Sequence, residues 1–117
     1  MAAVFENYLD EIEKLLPAKG NLLDVGSATG YFLELAKKRG WQVSGVEISE
    51  HAAGAGRKRG LDIKTGSLEQ AGFPPSSFDA ITLWDVIEHL PNPKESLLTC
   101  RQLLKPGGII AINTPDA

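Results

Sequence analysis

Apolar residues recur at three- and four-residue steps through Val4, Phe5, Tyr8, Leu9, Ile12, Leu15 and Leu16. The spacing predicts a first helix with one apolar stripe, ended by Pro17-Ala18-Lys19-Gly20. The pattern then changes. Leu22-Leu23-Asp24-Val25 is a short apolar run with one carboxylate and reads as a buried strand. Gly26 to Gly30 supplies small turn residues, and Phe32, Leu35 and Ala36 resume a helical period as far as Arg39, with Gly40 as its stop.

The same unit recurs. Trp41 to Glu47 predicts a second strand, and Ser49 to Arg59 a helix weakened by Gly54 and Gly56. Gly60 closes that helix, and Leu61 to Thr65 is a third strand. Gly66 to Ser77, rich in Gly, Pro and Ser, predicts loop with one helical turn at Leu68 to Ala71. Phe78 to Trp84 is a fourth strand and Asp85 to Leu90 a short helix that Pro91-Asn92-Pro93 terminates. Lys94 to Leu104 is a helix, Lys105 to Gly108 a turn, and Ile109 to Ile112 a fifth strand, apolar on both faces as an interior parallel strand is. Strands alternating with helices predict an α/β domain built on a parallel sheet.

The length of 117 residues fits one domain, and 43% apolar with 23% charged residues is ordinary for a globular protein. No run of eighteen apolar residues occurs, and the first residues resemble no export signal, so a cytoplasmic protein without a membrane partner is expected. The net charge of −3 does not suggest a nucleic-acid partner. The basic clusters Lys37-Lys38-Arg39 and Arg57-Lys58-Arg59 each precede a Gly at a helix end, where cations offset the macrodipole. The lone Cys100, with His51 and His89 far apart in sequence, excludes an internal disulfide and offers no metal-ligand spacing.

In an open parallel sheet, ligands bind beyond the carboxyl ends of the strands where the strand order reverses. Those ends carry Asp24 to Gly30, Glu47-Ile48, Gly66-Ser67-Leu68, Trp84-Asp85 and Asn113-Thr114-Pro115. A strand, small-residue turn and helix together let a nucleotide approach the backbone closely. Dinucleotide turns read G-x-G-x-x-G, whereas Tyr31 occupies the third Gly position here, which disfavours a hydride-transferring NAD(P) enzyme. Glu47, about twenty residues on, stands where a carboxylate accepts from both hydroxyls of a ribose.

The Asp24-x-Gly26-x-Ala28-x-Gly30 pattern resembles motif I of the class I S-adenosylmethionine-dependent methyltransferases, with Ala28 in place of the usual middle Gly. Gly45 to Ser49 is similar to motif II of that family, Phe78 to Leu90 to its motif IV region, and Leu103 to Gly108 to its turn into the fifth strand. The small-molecule enzymes of the family are the nearest in kind. The resemblance implies a Rossmann-like, doubly wound sheet with helices on both faces, of which this chain is expected to be the cofactor-binding part, truncated after the fifth strand.

It further implies that Asp24, Gly26, Ser27, Ala28 and Gly30 hold the methionyl part of S-adenosyl-L-methionine, Glu47 the ribose, and Ile48 one face of the adenine. Ser67 and Leu68 meet the adenine amino group and its other face, although the family often has an acid where Ser67 stands. Backbone at Trp84 and Asp85 is expected near the methionyl end, and Tyr8 near the pocket wall. The reaction implied is in-line methyl transfer to a small-molecule acceptor, leaving S-adenosyl-L-homocysteine, with neither metal nor covalent nucleophile. For a hydroxyl or acidic-carbon acceptor His89 is the side chain suited to act as general base, the other reading being that Glu88-His89 pack or cap around the short helix. A non-catalytic module that binds S-adenosylmethionine is the reading from a different class. Ile109, Ile110 and Ile112 are expected to leave an apolar sheet edge open to self-association.

Overall fold

The computed structural model describes residues 2–113. Its five strands are β1 Asn21–Val25, β2 Gln42–Glu47, β3 Ile63–Thr65, β4 Phe78–Leu83 and β5 Leu104–Ile112. They form one sheet in the order β3-β2-β1-β4-β5, and every pairing is parallel. Four α-helices accompany them: α1 Ala2–Leu15, α2 Tyr31–Lys38, α3 Glu50–Lys58 and α4 Pro93–Leu103. The expected doubly wound architecture is present, with the order reversing between β1 and β4.

Side chains along the strands alternate between two cores, as the two-residue period requires. Leu22, Ile63, Ala80 and Ile109 face α1, α2 and α3, where they meet Leu9, Ile12, Phe32, Leu33, Ala36 and Ala53. Leu23, Val25, Val46, Ile81 and Leu83 face the opposite way, against Cys100 and Leu103 of α4 and Leu68 and Phe73 of the loop after β3. Leu22 and Leu23, neighbours in sequence, are thus both inaccessible to water on opposite faces. Burial on this scale contributes about 1.5–3 kcal/mol for each such side chain, so the run Leu22-Leu23 holds β1 at the centre of the sheet.

α2 and α3 both end in Schellman motifs. Trp41 N–H reaches Ala36 O at 3.1 Å while Gly40 N–H reaches Lys37 O at 3.0 Å; the matching bonds after α3 run from Leu61 to Gly56 at 3.2 Å and from Gly60 to Arg57 at 2.9 Å. These stops return the chain to the amino end of the sheet. The clustered cations do more than sit at helix ends. Arg39 pairs with Glu6, Asp10 and Glu13 of α1, and Arg57 with Glu50.

Among the boundaries that differ from the sequence reading, three have a plain physical reason. Pro93 opens α4 instead of ending the preceding segment, because Asn92 caps the helix by accepting Glu95 N–H at 3.2 Å and a first-turn proline has no N–H to lose. β5 begins at Leu104, which pairs with Phe78. The next partner pair is Ala80 with Ile109, so Lys105-Pro106-Gly107-Gly108 is a bulge within the strand. β3 is only three residues long, since Leu61 and Asp62 are still leaving the α3 stop.

β5 is one of the two edge strands among the described residues, β3 being the other. Ile112 is 41% and Leu98 52% exposed. A hollow of about 660 Å³ lies between α4 and β5, lined by Leu97, Leu98, Leu104, Ile110 and Ile112. Thr114 and Pro115, expected at the end of this strand, lie outside the described residues. Among the described residues, no helix is long and apolar enough to cross a membrane, and no three metal-ligating side chains come together.

Candidate active site

A cavity of about 560 Å³ opens at the carboxyl ends of β1 to β4, where the reversal of strand order leaves a crevice. Gly26, Glu47, Ile48, Ser67, Leu68, Trp84, Asp85 and His89 all line it. Four separate segments of the sequence reading therefore meet in one place. Asp24, Ser27, Ala28 and Gly30 do not line the cavity; Asp24 lies within β1 and the other three in the turn between β1 and α2.

The turn after β1 is held down by β2. Gly26 and Ser27 N–H both donate to Val46 O, at 2.8 and 3.0 Å. Gly26 has φ +76°, and a Cβ there would come within 2.7 Å of Val86 Cγ2 on the cavity wall. The position needs glycine on both counts, conformational and steric. Gly30, at φ +89°, fails to tolerate a Cβ for another reason: it would run into Leu61 and Ile63 in the core. Between them Ala28 adopts φ +53°, a left-handed conformation that disfavours any residue with a Cβ. The Glu47 carboxylate steadies this residue: its Oε1 accepts Ala28 N–H at 2.9 Å and its Oε2 accepts Ser49 N–H at 3.0 Å. Glu47 is thus a brace between two strand ends as well as a cavity residue, a role that sequence reasoning did not find.

Asp24 is 3% exposed. Burial pushes its carboxyl up to about 7; the Thr82 hydroxyl, donating to Oδ1 at 2.7 Å, works against this, and the nearby negative charge of Glu47 adds to it. Ser27 Oγ is buried with no hydrogen-bond partner among the described residues, and so is Trp84 Nε1. The Trp84 ring is stacked on Tyr8 of α1, with centroids 4.3 Å apart and planes inclined by 18°.

On the far wall, Ser67 and Gln70 cap each other. Gln70 N–H donates to Ser67 Oγ at 3.2 Å and Ser67 N–H to Gln70 Oε1 at 3.0 Å, the reciprocal arrangement of a capping box. Ser67 N–H is therefore already satisfied, while its hydroxyl hydrogen is still free to donate. Ile48 is 80% exposed at the rim and Leu68 is buried in the floor. His89, in the one-turn 3-10 segment Ile87–His89, is exposed and lies 3.5 Å from Glu88.

Glu69, Val86, Leu90, Asn92, Glu95 and Ser96 also line the cavity and were not singled out from sequence. Asn92 and Glu95 had a readable signal. The N-x-x-E spacing is a capping pair, and Asn92 Nδ2 indeed reaches Glu95 Oε2 at 3.1 Å. Glu69 had none, because its partner Ser96, whose hydroxyl donates to it at 3.0 Å, is 27 residues away.

The residues present fit a nucleoside with an amino-acid tail. The volume lies within the roughly 300–1,000 Å³ of small-molecule sites. The cradle at Gly26 is one that a Cβ would fill, and an apolar floor and rim at Leu68 and Ile48 flank the carboxylate of Glu47.

The family described as "Methyltransferase domain" matches residues 2–117. A ubiquinone biosynthesis O-methyltransferase of Azoarcus sp. (strain BH72) is 36% identical over 100 residues, covering 80% of this chain and 43% of that protein. The enzyme of that name from Saccharophagus degradans is 34% identical over 115 residues, covering 92% of this chain and 48% of the relative. This chain thus spans less than half the length of these curated relatives. A solved structure from Thermotoga maritima, described as a SAM-dependent methyltransferase and possible histamine N-methyltransferase, superposes with a TM-score of 0.73 at 29% identity, covering 92% of this chain and 50% of that one. The chain belongs to the class I S-adenosylmethionine-dependent methyltransferase family.

Proposed function

We propose that residues 1–117 are the cofactor-binding part of an enzyme that transfers a methyl group from S-adenosylmethionine to a small-molecule acceptor. The observation that carries this reading is the convergence of Gly26, Glu47, Ile48, Ser67, Leu68, Trp84 and Asp85 on one cavity at the strand-order reversal. Glu47 receives the ribose hydroxyls, Ile48 and Leu68 bracket the adenine, and the Ser67 hydroxyl faces its edge. The Gly26 turn, buttressed by Asp24, takes the methionyl tail, with the Trp84-Asp85 backbone opposite.

When bound, the cofactor supplies an activated sulfonium methyl. The chain's own work is to hold that end still, keep water away with Trp84 and its apolar neighbours, and leave one side open to an acceptor. The O-methyltransferase relatives make a hydroxyl acceptor the first to test. For such an acceptor His89, exposed at the rim, is the candidate group to receive the proton.

Two measurements test the reading. Calorimetry should find S-adenosylmethionine and S-adenosylhomocysteine binding more tightly than NAD. Incubation of the natural protein with methyl-labelled cofactor and a panel of hydroxylated aromatic and aliphatic acceptors should transfer label, with S-adenosylhomocysteine formed in equal amount. Tighter NAD binding would reverse the assignment, and binding without transfer to any acceptor would mark a non-catalytic module.

A further inference from the structure

We infer that Asn113, the residue after β5, is a positioning residue that fixes the Trp84-Asp85 wall of the cavity to α1. Its Oδ1 accepts Asp85 N–H at 2.6 Å, and its Nδ2 donates to the Tyr8 hydroxyl at 3.3 Å. The orientation of this carboxamide is not arbitrary. A backbone N–H can only donate, so the oxygen must face Asp85 and the amino group must face Tyr8. The ring then closes on itself, because Tyr8 stacks on Trp84 and Trp84 precedes Asp85 in the chain. Asn113 N–H in turn donates to Leu83 O at 3.3 Å, which sets the side chain's origin on the end of β4.

What the clamp holds is a strained piece of backbone. Asp85 has φ +55°, a left-handed conformation in a residue with a Cβ, and it lines the cavity directly after Trp84. Without an acceptor for its N–H, the segment has little reason to keep that conformation. The Tyr8 leg matters for the other side of Trp84, since it keeps α1 seated against the indole. Asn113 thus links three elements that are far apart in sequence, α1, the end of β4 and the end of β5, beside the two residues, Trp84 and Asp85, that line the cavity. Its part in ligand binding rests on the cofactor reading above; its grip on Asp85 does not.

The test uses Asn113→Ala and Asn113→Asp with two readouts. The aspartate still accepts from Asp85 N–H and can accept the Tyr8 O–H in place of the amide bond, so it preserves the ring. It is measured at about 0.3 M salt to screen its charge from Asp85. Amide hydrogen exchange at Asp85, followed by NMR without ligand, should quicken in the alanine variant and stay near wild type in the aspartate variant. S-adenosylhomocysteine affinity should fall roughly five- to tenfold in the alanine variant and recover in the aspartate. Unchanged Asp85 exchange in Asn113→Ala would overturn the clamp. Unchanged affinity of Asn113→Ala, where the wild type does bind, would overturn its positioning role alone. A wild type that binds no S-adenosylhomocysteine would refute the cofactor reading and leave the exchange measurement to decide the clamp.

Discussion

The carboxylate of Glu47 accepts the backbone N–H of Ala28 across nineteen residues of sequence, at 2.9 Å, while its second oxygen holds Ser49 N–H. The residue placed to meet a ribose therefore also keeps a left-handed alanine in its turn. Glu47→Ala should lose both functions. Because the bonds are exposed, their stabilisation is about 1 kcal/mol, which moves the unfolding midpoint of a domain this size by about 3 to 6 °C. S-adenosylhomocysteine affinity should drop about ten- to a hundredfold. Glu47→Gln offers one acceptor oxygen for two backbone donors and should fall between. A variant that binds like wild type would remove the ribose assignment; one that binds weakly but melts like wild type would remove the brace.

Asp24 makes stability depend on pH in an unusual direction. Its carboxyl titrates at about 7 in the folded chain and near 3.8 when unfolded. Between these values the folded chain keeps a proton that the unfolded chain has released. Stability should therefore fall as pH rises through this window, by up to about 1.4 kcal/mol per unit, and level off above 7. Urea unfolding of wild type and Asp24→Asn from pH 4.5 to 8 isolates this residue. The asparagine variant should gain on wild type as pH rises, and a difference independent of pH would contradict the account.

Gly26 and Gly30 should separate binding from folding. An alanine at either position carries the left-handed penalty of about 1–2 kcal/mol. At Gly30 the added methyl also overpacks Leu61 and Ile63, so Gly30→Ala should cost about 1–3 kcal/mol more. At Gly26 the methyl strikes Val86 on the cavity wall, which can shift at the expense of the cavity's shape. Gly26→Ala should be the milder variant in thermal melts and the more severe one in ligand titrations. The opposite ranking would mean that the Gly26 turn does not border the ligand.

Ser67→Asp should sharpen recognition of the purine amino group. Aspartate caps a helical turn at least as well as serine, so the bond from Gln70 N–H survives, and a charged acceptor is added beside the site. The preference for S-adenosylhomocysteine over its 6-oxo analogue should rise about tenfold. An unchanged preference would place the adenine edge elsewhere.

How far the sequence could be read follows from the range of the interactions involved. The two-residue alternation of Leu22-Leu23 and Ile109-Ile110 exposes both faces of a parallel sheet to inspection, and the Gly stops of α2 and α3 are local chemistry. The ends of the strands were legible as a set because the parallel order brings them together whatever the loops do. The brace of Glu47 on Ala28, the clamp of Asn113 on Asp85 and Tyr8, and the bond of Ser96 to Glu69 were not, since each joins residues whose proximity exists only after the sheet has formed.

Proline misled the reading in two places for one reason. Pro93 and Pro106 each looked like punctuation, yet the first starts α4 under the Asn92 cap and the second sits in the bulge of an edge strand. In neither place would an N–H have been required, so the usual cost of proline does not arise. At Glu47 the sequence points to a ribose acceptor but not to the brace, because nothing local shows that two backbone donors point at its carboxylate.

The central claim, that the carboxyl ends of β1 to β4 together bind one nucleoside with an amino-acid tail, is tested most directly by NMR mapping of a S-adenosylhomocysteine titration. The account predicts that the backbone amides of Gly26, Glu47, Ile48, Ser67, Leu68 and Asp85 shift along one saturation curve, while Ile110 and Ile112 at the sheet edge do not move. Saturable shifts confined to the hollow between α4 and β5, or no saturable shift at the strand ends, would contradict it.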